Sequence, residues 1–287
     1  MRNPAQPQTT IIELLESPVV IIRPVRSLLL VLLLVVPASA QWLKYPTPGI
    51  PRTADGKPEL NAPGPKAPDG KPDLTGLWMP SRRPGPTRVS GPQGLAVGPN
   101  ILNFLPPGVD IPPMLPAAAA LYAKRGENFY ADRPSARCLP HSIPDQMLLS
   151  IPVKIVQTPG LTLILYEEFA RFRQVFTDGR PHPPVGNPAW LGYSIGKWEG
   201  DWFVVDTRGF NDKSWLDDSG RPHSEALRTM ERFRRRDFGH IDVEITIDDP
   251  ETYTKPFTIP IQFEYLADTD MIEDVCDNEK DAAHTVK

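Results

Sequence analysis

The stretch ALRTMERFRRRDFGHIDVEITID, residues 226–248, holds two strands and the turn between them. In its second half Ile241, Val243, Ile245 and Ile247 alternate with Asp242, Glu244 and Asp248. Successive side chains of a strand point to opposite faces, so this segment has one apolar and one acidic face. In the first half Arg228, Met230, Arg232, Arg234 and Arg236 share one face, and Leu227, Thr229, Glu231 and Phe233 the other. Asp237-Phe238-Gly239-His240 supplies the turn. A register that sets Arg234 against Glu244, Arg236 against Asp242 and Phe233 against Ile245 places opposite charges side by side. The arginine run then reads as a solvated, charge-paired face, with a patch for an anionic polymer as the alternative. Glu231 goes inward with the isoleucines. A carboxylate there needs a partner, such as an inward arginine, or it takes up a proton.

Working outward from this hairpin, the same grammar continues. Lys154–Thr158 and Leu161–Glu167 flank Pro159-Gly160, and Phe172–Thr177 ends at Asp178-Gly179. Tyr193–Glu199 and Trp202–Phe210 flank Gly200-Asp201, and Phe257–Tyr265 closes the set. Eight strands in sequential order with short connections favour a mainly β fold. The expected architecture is an antiparallel up-and-down β-barrel over residues 151–266, because closure removes sheet edges.

Residues 41–150 follow other rules. Of the 36 prolines, 23 fall between 41 and 160 and only eight beyond. Proline lacks an N–H donor and fixes φ, so this density predicts an irregular, extended arm laid over the barrel. Within the arm Pro51–Leu60 returns as Pro65–Leu74, each copy centred on Asp-Gly. One short helix is expected, from Pro116 to about Asn128, built on Ala117–Ala120.

Arg23 and Arg26 precede nine apolar residues, Leu28 to Val36, followed by Pro37 and Ala38-Ser39-Ala40. This is the pattern of a secretory signal peptide, residues 1–40, cut before Gln41. It predicts export to the periplasm or the exterior. The apolar run is shorter than the roughly 20 residues that span a bilayer, so no stable membrane insertion is expected after cleavage. With 31 basic against 35 acidic residues, the chain has no general affinity for nucleic acid. The two cysteines, Cys138 and Cys276, are expected to pair in an oxidising compartment. Closing so long a loop is worth roughly 5 kcal/mol on the chain-entropy account. The acidic segment 267–287 reads as a solvated tail held at Cys276.

Several residues could carry chemistry. His223-Ser224-Glu225 places an imidazole and a carboxylate two residues apart, on one side of an extended chain. With Arg180 as anion clamp, His223 and Glu225 form a candidate acid–base pair. With His182 from a neighbouring loop they form a candidate divalent-metal site. Trp190, Trp198, Trp202 and Trp215 crowd into a short span and, with Phe233, could offer flat apolar area to a ligand oriented by Glu231 and His182. The bland alternatives are core packing for the aromatics, turn capping for His223 and an arginine partner for Glu225. Gly192-Tyr193-Ser194-Ile195-Gly196 matches a serine-hydrolase elbow, but a strand and hairpin follow where a helix is required. Cofactors are left open, although with no phosphate-binding Gly-rich loop and no CxxC the sequence gives no support to cofactor-dependent redox chemistry.

Together, Pro72-Asp73-Leu74-Thr75-Gly76-Leu77-Trp78, Arg137-Cys138-Leu139-Pro140, Phe176-Thr177-Asp178-Gly179-Arg180 and the block from Asn211 to Lys255 resemble a family of exported, functionally uncharacterised proteins of soil bacteria. The shared signatures are Gly209–Asp217, Pro222–Leu227, Glu231–Arg235 and Thr246–Pro250. The resemblance implies export and a β-rich domain, with no activity to carry over. Gly76-Leu77-Trp78 also resembles the opening Gly-x-Trp of lipocalins. Three functions follow as expectations. The first is binding of a small, largely apolar molecule in the barrel or at its mouth. The others are a hydrolase or isomerase at that mouth, and an envelope structural or interaction module. The oligomeric state is left open.

Overall fold

The computed structural model describes residues 45–81, 99–184 and 186–276, all within one compact unit, Trp42–Lys287. Residues 1–40, expected to be a signal peptide, and residues 277–287 of the tail lie outside the described residues.

The sheet is a closed barrel of nine strands. They are β1 (Gly76–Ser81), β2 (Val153–Thr158), β3 (Leu161–Tyr166), β4 (Arg171–Phe176) and β5 (Tyr193–Glu199), then β6 (Trp202–Arg208), β7 (Arg228–Arg235), β8 (His240–Asp248) and β9 (Phe257–Tyr265). Eight coincide with the strands expected from sequence. The ninth, β1, comes from the proline-rich arm and pairs with both β2 and β9. Its proline explains why it is hard to foresee. Pairing with β2 covers only Gly76–Trp78, and Pro80 lies beyond it, where β1 has β9 alone as neighbour. Pro260 of β9 pairs with Glu244 of β8, outside the stretch Gln262–Tyr265 that meets β1. Both prolines therefore occupy positions paired on one side, where a missing N–H leaves no partner unsatisfied.

Two details correct the sequence reading. The β7–β8 register sets Arg234 against Asp242, Arg232 against Glu244 and Phe233 against Val243. It is displaced by two residues from the charge-matched guess because the hairpin closes early, with Arg236 N–H donating to the His240 carbonyl at 2.9 Å. A two-residue shift keeps every side chain on its expected face. Secondly, β4 and β5 run parallel over two residue pairs, Val175 with Ser194 and Phe176 with Ile195. The segment 177–192 crosses the outer wall between them.

Because neighbouring strands otherwise alternate in direction, the short turns 159–160, 200–201 and 236–239 gather at one end, the turn end. The loops 167–170, 209–227 and 249–256 gather at the other, the loop end. The arm covers both. Residues 45–75 cover the turn end, where Phe238 and Gly239 donate to the carbonyls of Ala62 and Leu60, each at 2.7 Å. The tandem repeat becomes two matching miniature hairpins, with bridges Arg52–Pro58 and Lys66–Pro72. Gly56 and Gly70 sit at φ +82° and +80°, a region that favours glycine. Residues 99–152 cover the loop end. They carry helix α1 (Pro116–Glu127), as expected, and a single helical turn, α2 (Asp145–Leu148), that was not. Leu115 N–H donates to the Thr252 carbonyl at 2.9 Å, and Thr254 N–H to that of Pro113 at 3.1 Å.

The core is continuous from barrel to arm. Trp78, Phe203, Phe233, Ile245 and Phe263 line the barrel, and Ile101, Ile143 and Met147 of the arm pack on the same cluster. Burying each such side chain contributes about 1.5–3 kcal/mol. Cys138 and Cys276 form a disulfide with Cα atoms 5.5 Å apart, joining the arm to the tail at the loop end. No helix among the described residues is long and apolar enough to cross a membrane.

Replacing both cysteines by serine is expected to lower stability by about 2–5 kcal/mol. Urea unfolding followed by tryptophan fluorescence reads this as a lower midpoint. An unchanged midpoint would mean that the bridge closes no loop that matters to the unfolded chain.

Candidate functional site

The barrel interior is built from side chains rather than left as a ligand cavity at the places sequence singled out. Glu231 is fully buried, and Arg173 of β4 meets it with both terminal nitrogens, Nη1 donating to Oε1 at 3.0 Å and Nη2 to Oε2. Arg173 Nη2 also donates to Thr207 Oγ1 at 2.6 Å, and its Nε to Ser194 Oγ at 2.9 Å. Burial alone would lower the Arg173 pKa, but Glu231 outweighs it and keeps the guanidinium charged. This is the inward-arginine partner. Phe233 lies between Phe203 and Phe263, each with ring centroids 6.3 Å away. Ser194, the serine of the hydrolase-like motif, is a member of this interior network and is 1% exposed.

The residues weighed for acid–base or metal chemistry do not come together. His223 is buried in the 209–227 loop, its Nδ1–H donating to the Ser224 carbonyl at 3.0 Å. Ser214 donates its hydroxyl to Nε2 at 2.7 Å. Burial lowers the His223 pKa, so the ring is neutral with both nitrogens occupied. Glu225 is exposed. His182 lies on the outer wall, with Nε2 3.4 Å from Asp206 Oδ2. Among the described residues, His182, His223 and Glu225 form no group of converging ligand atoms. The tryptophans are likewise dispersed. Trp198 packs on Phe203, and Trp202 lies under the guanidinium groups of Arg232 and Arg234 at 4.8 and 4.7 Å. Trp215 is buried at the loop end beneath Arg125, and Trp190 is half-buried in the crossover segment.

What the fold does assemble is a groove of about 490 Å³ on the outer wall, over β4 to β7. Alternation directs Ile195, Val204 and Met230 outward, and with Phe176 they line it with apolar surface. Val204 is 5% exposed although it faces away from the core, because long side chains close over it. Arg180, Lys197, Arg228 and Arg232 supply four cations against Glu199 and Asp206. Arg180 is fixed by Asp178, Nη2 to Oδ2 at 2.6 Å, and lies 3.9 Å over the Phe176 ring. Asp206 accepts from Arg228 Nε and Nη2 at 2.8 and 2.9 Å and from Arg208 at 3.1 Å. Burial would raise the Asp206 carboxyl, but these two arginines hold it below its usual value. Arg232 differs. It forms no ion pair among the described residues, and its Nε is buried without a hydrogen-bond partner. A second cavity of about 700 Å³ flanks the crossover segment, lined by His182, Pro184, Tyr193 and Arg208.

Of this groove, sequence singles out Arg180 as an anion clamp and Arg228, Met230 and Arg232 as one charged strand face. Strand alternation puts Arg228, Met230 and Arg232 together, and an apolar residue on an otherwise charged outer face asks for a cover. What alternation could not supply was the crossover that makes a groove of the wall.

Comparison with protein-family models, curated proteins and solved structures finds no match for the chain. The site is read from its own chemistry. Glu231→Leu is expected to cost about 3–5 kcal/mol by leaving Arg173 buried and unpaired, and adding Arg173→Met should recover most of that loss. Urea unfolding of the single and double variants measures both; equal losses would contradict the pairing. His223 has its folded pKa below the unfolded value of about 6.5, so its stabilisation is full above that pH and is lost as pH falls through the folded value. His223→Asn should therefore lose less stability than the unaltered protein between about pH 7 and pH 5.

Proposed function

We propose that the protein is exported and binds a small amphipathic anion, a flat or chain-like apolar body bearing a carboxylate, sulfonate or phosphate, in the outer-wall groove. The observation that carries this reading is Arg232, a cation with a buried, unpartnered Nε on an apolar-lined groove. A buried donor without a partner costs about 1–3 kcal/mol, and an anion would relieve that cost. The groove volume lies within the roughly 300–1,000 Å³ of small-molecule sites. Phe176, Ile195, Val204 and Met230 would receive the apolar body, and Arg180, Arg228 and Arg232 the charge. Binding of a small, largely apolar molecule is retained from the sequence, but moved from the barrel interior to its outer wall. The disulfide supports export.

Titration with anilinonaphthalene sulfonate, followed by fluorescence, tests this on the folded, oxidised protein. Saturable one-to-one binding is expected, weakened about tenfold or more by Arg232→Glu, the scale of losing one charge-assisted hydrogen bond of about 1.5–3 kcal/mol. Absence of binding, or binding indifferent to Arg232→Glu, would favour an envelope module whose barrel has no ligand.

A further inference from the structure

Three separate chain segments converge at the loop end on His141. His141 and Asp145 stand four residues apart, on α2 and the residues just before it. Asp218 arrives from the 209–227 loop and Glu168 from the β3–β4 hairpin. All four are buried, with side chains between 3% and 12% exposed.

The two imidazole nitrogens have different surroundings. Nδ1 lies 2.8 Å from Glu168 Oε2, so the carboxylate accepts the Nδ1–H and fixes the tautomer. Nε2 then points its lone pair at two carboxylates, Asp145 Oδ2 at 3.5 Å and Asp218 Oδ1 at 3.4 Å. Those separations exceed by about half an ångström the 2.7–2.9 Å of a charge-assisted N–H···O bond. They match two edges of a tetrahedron around an ion with ligand distances of about 2.0–2.2 Å, edges that measure about 3.3–3.6 Å. The three ligand atoms lie within 4.8 Å of one another. An imidazole bonded through one nitrogen to a carboxylate, with the other free for the ion, is the usual support of a zinc-ligating histidine.

The polar inventory points the same way. Asp145 is 2% exposed, and its Oδ1 has no hydrogen-bond partner among the described residues. Ser142 Oγ and Gln146 Oε1, each next in sequence to one of these residues, are also buried and unpartnered. With a neutral imidazole, Asp145, Asp218 and Glu168 would place three negative charges in a dry pocket, which is costly without a compensating cation. The adjacent Asp217 is not part of it. It is neutralised by Arg221 at 2.5 Å and accepts from Ile101 N–H at 2.9 Å. Among the described residues, Asp218 has only the Ser135 hydroxyl at 3.3 Å besides His141.

The geometry points to a divalent transition-metal ion of the zinc type ligated by His141 Nε2, Asp145 and Asp218, with Glu168 as the residue that positions His141. An imidazole with two carboxylates selects this class over calcium or magnesium, which take oxygen ligands, six to eight of them for calcium. The burial of every ligand marks a site closed to substrate. Together with the Cys138–Cys276 bridge, three residues from His141, the ion would fasten the arm to the loop end. The site is independent of the outer-wall groove.

The test uses the full chain, oxidised and exported, dialysed against a chelator and titrated with zinc alone. One ion per chain is expected, with a raised melting temperature. His141→Asn and Asp218→Asn should each lose one-to-one uptake, and Glu168→Gln should weaken it about 10- to 100-fold. X-ray absorption of the zinc-loaded unaltered protein provides a reading that does not depend on variants folding. Four-coordinate zinc with a single imidazole and oxygen neighbours supports the site. No uptake, uptake indifferent to both ligand variants, or a shell with sulfur or several imidazoles would overturn it.

Discussion

A sheet that closes on itself leaves no free edge, and in this protein the closing strand is supplied by the proline-rich arm. β1 pairs with β2 on one side and β9 on the other, so the arm passes along the barrel wall as one of its staves. Residues 45–75 are thereby delivered to the turn end and residues 99–152 to the loop end. The arm cannot be a tether hung on a finished barrel, because without Gly76–Ser81 strands β2 and β9 would each present an unpaired edge. The tandem hairpins over one end, the helical segment over the other and the disulfide beside it all follow from that threading.

A closed barrel of this size has an interior that its own side chains can fill, and here apolar groups and the Arg173–Glu231 ion pair occupy it. Arg173 and Glu231 pair through two hydrogen bonds, and Ser194 and Thr207 take up two of the three remaining guanidinium N–H groups. With the interior committed to packing, chemistry is displaced to the outside. The parallel β4–β5 junction requires a long crossover, and the crossover turns a charged outer wall into a groove. The loop end, where arm and loops meet, gathers His141 with carboxylates from three directions.

The strands were legible because alternation is a local property. Ile241, Val243, Ile245 and Ile247 declare their face without reference to any other part of the chain, and Glu231 declared its need of an arginine for the same reason. The β7–β8 register was less legible, since charge matching allows pairings two residues apart and the turn alone decides between them. β1 was hidden by Pro80, tolerated only because that position lacks a second neighbour, a fact of topology. The histidine chemistry was misplaced on similar grounds. His223 and Glu225 are close in sequence, yet one is buried and the other exposed. His141 and the three carboxylates around it come from residues 141, 145, 168 and 218, a proximity that no local pattern announces. The four-residue spacing of His141 and Asp145 was the one local sign.

Native-state hydrogen exchange at Leu77, Trp78 and Met79 tests the arm's place in the barrel most directly. If β1 is a stave, these amides exchange only through global opening, as slowly as those of Val243 and Ile245 in β8. Exchange at the faster rate of the arm's loops, with β2 and β9 still protected, would contradict the account and return the arm to the role of a wrapping.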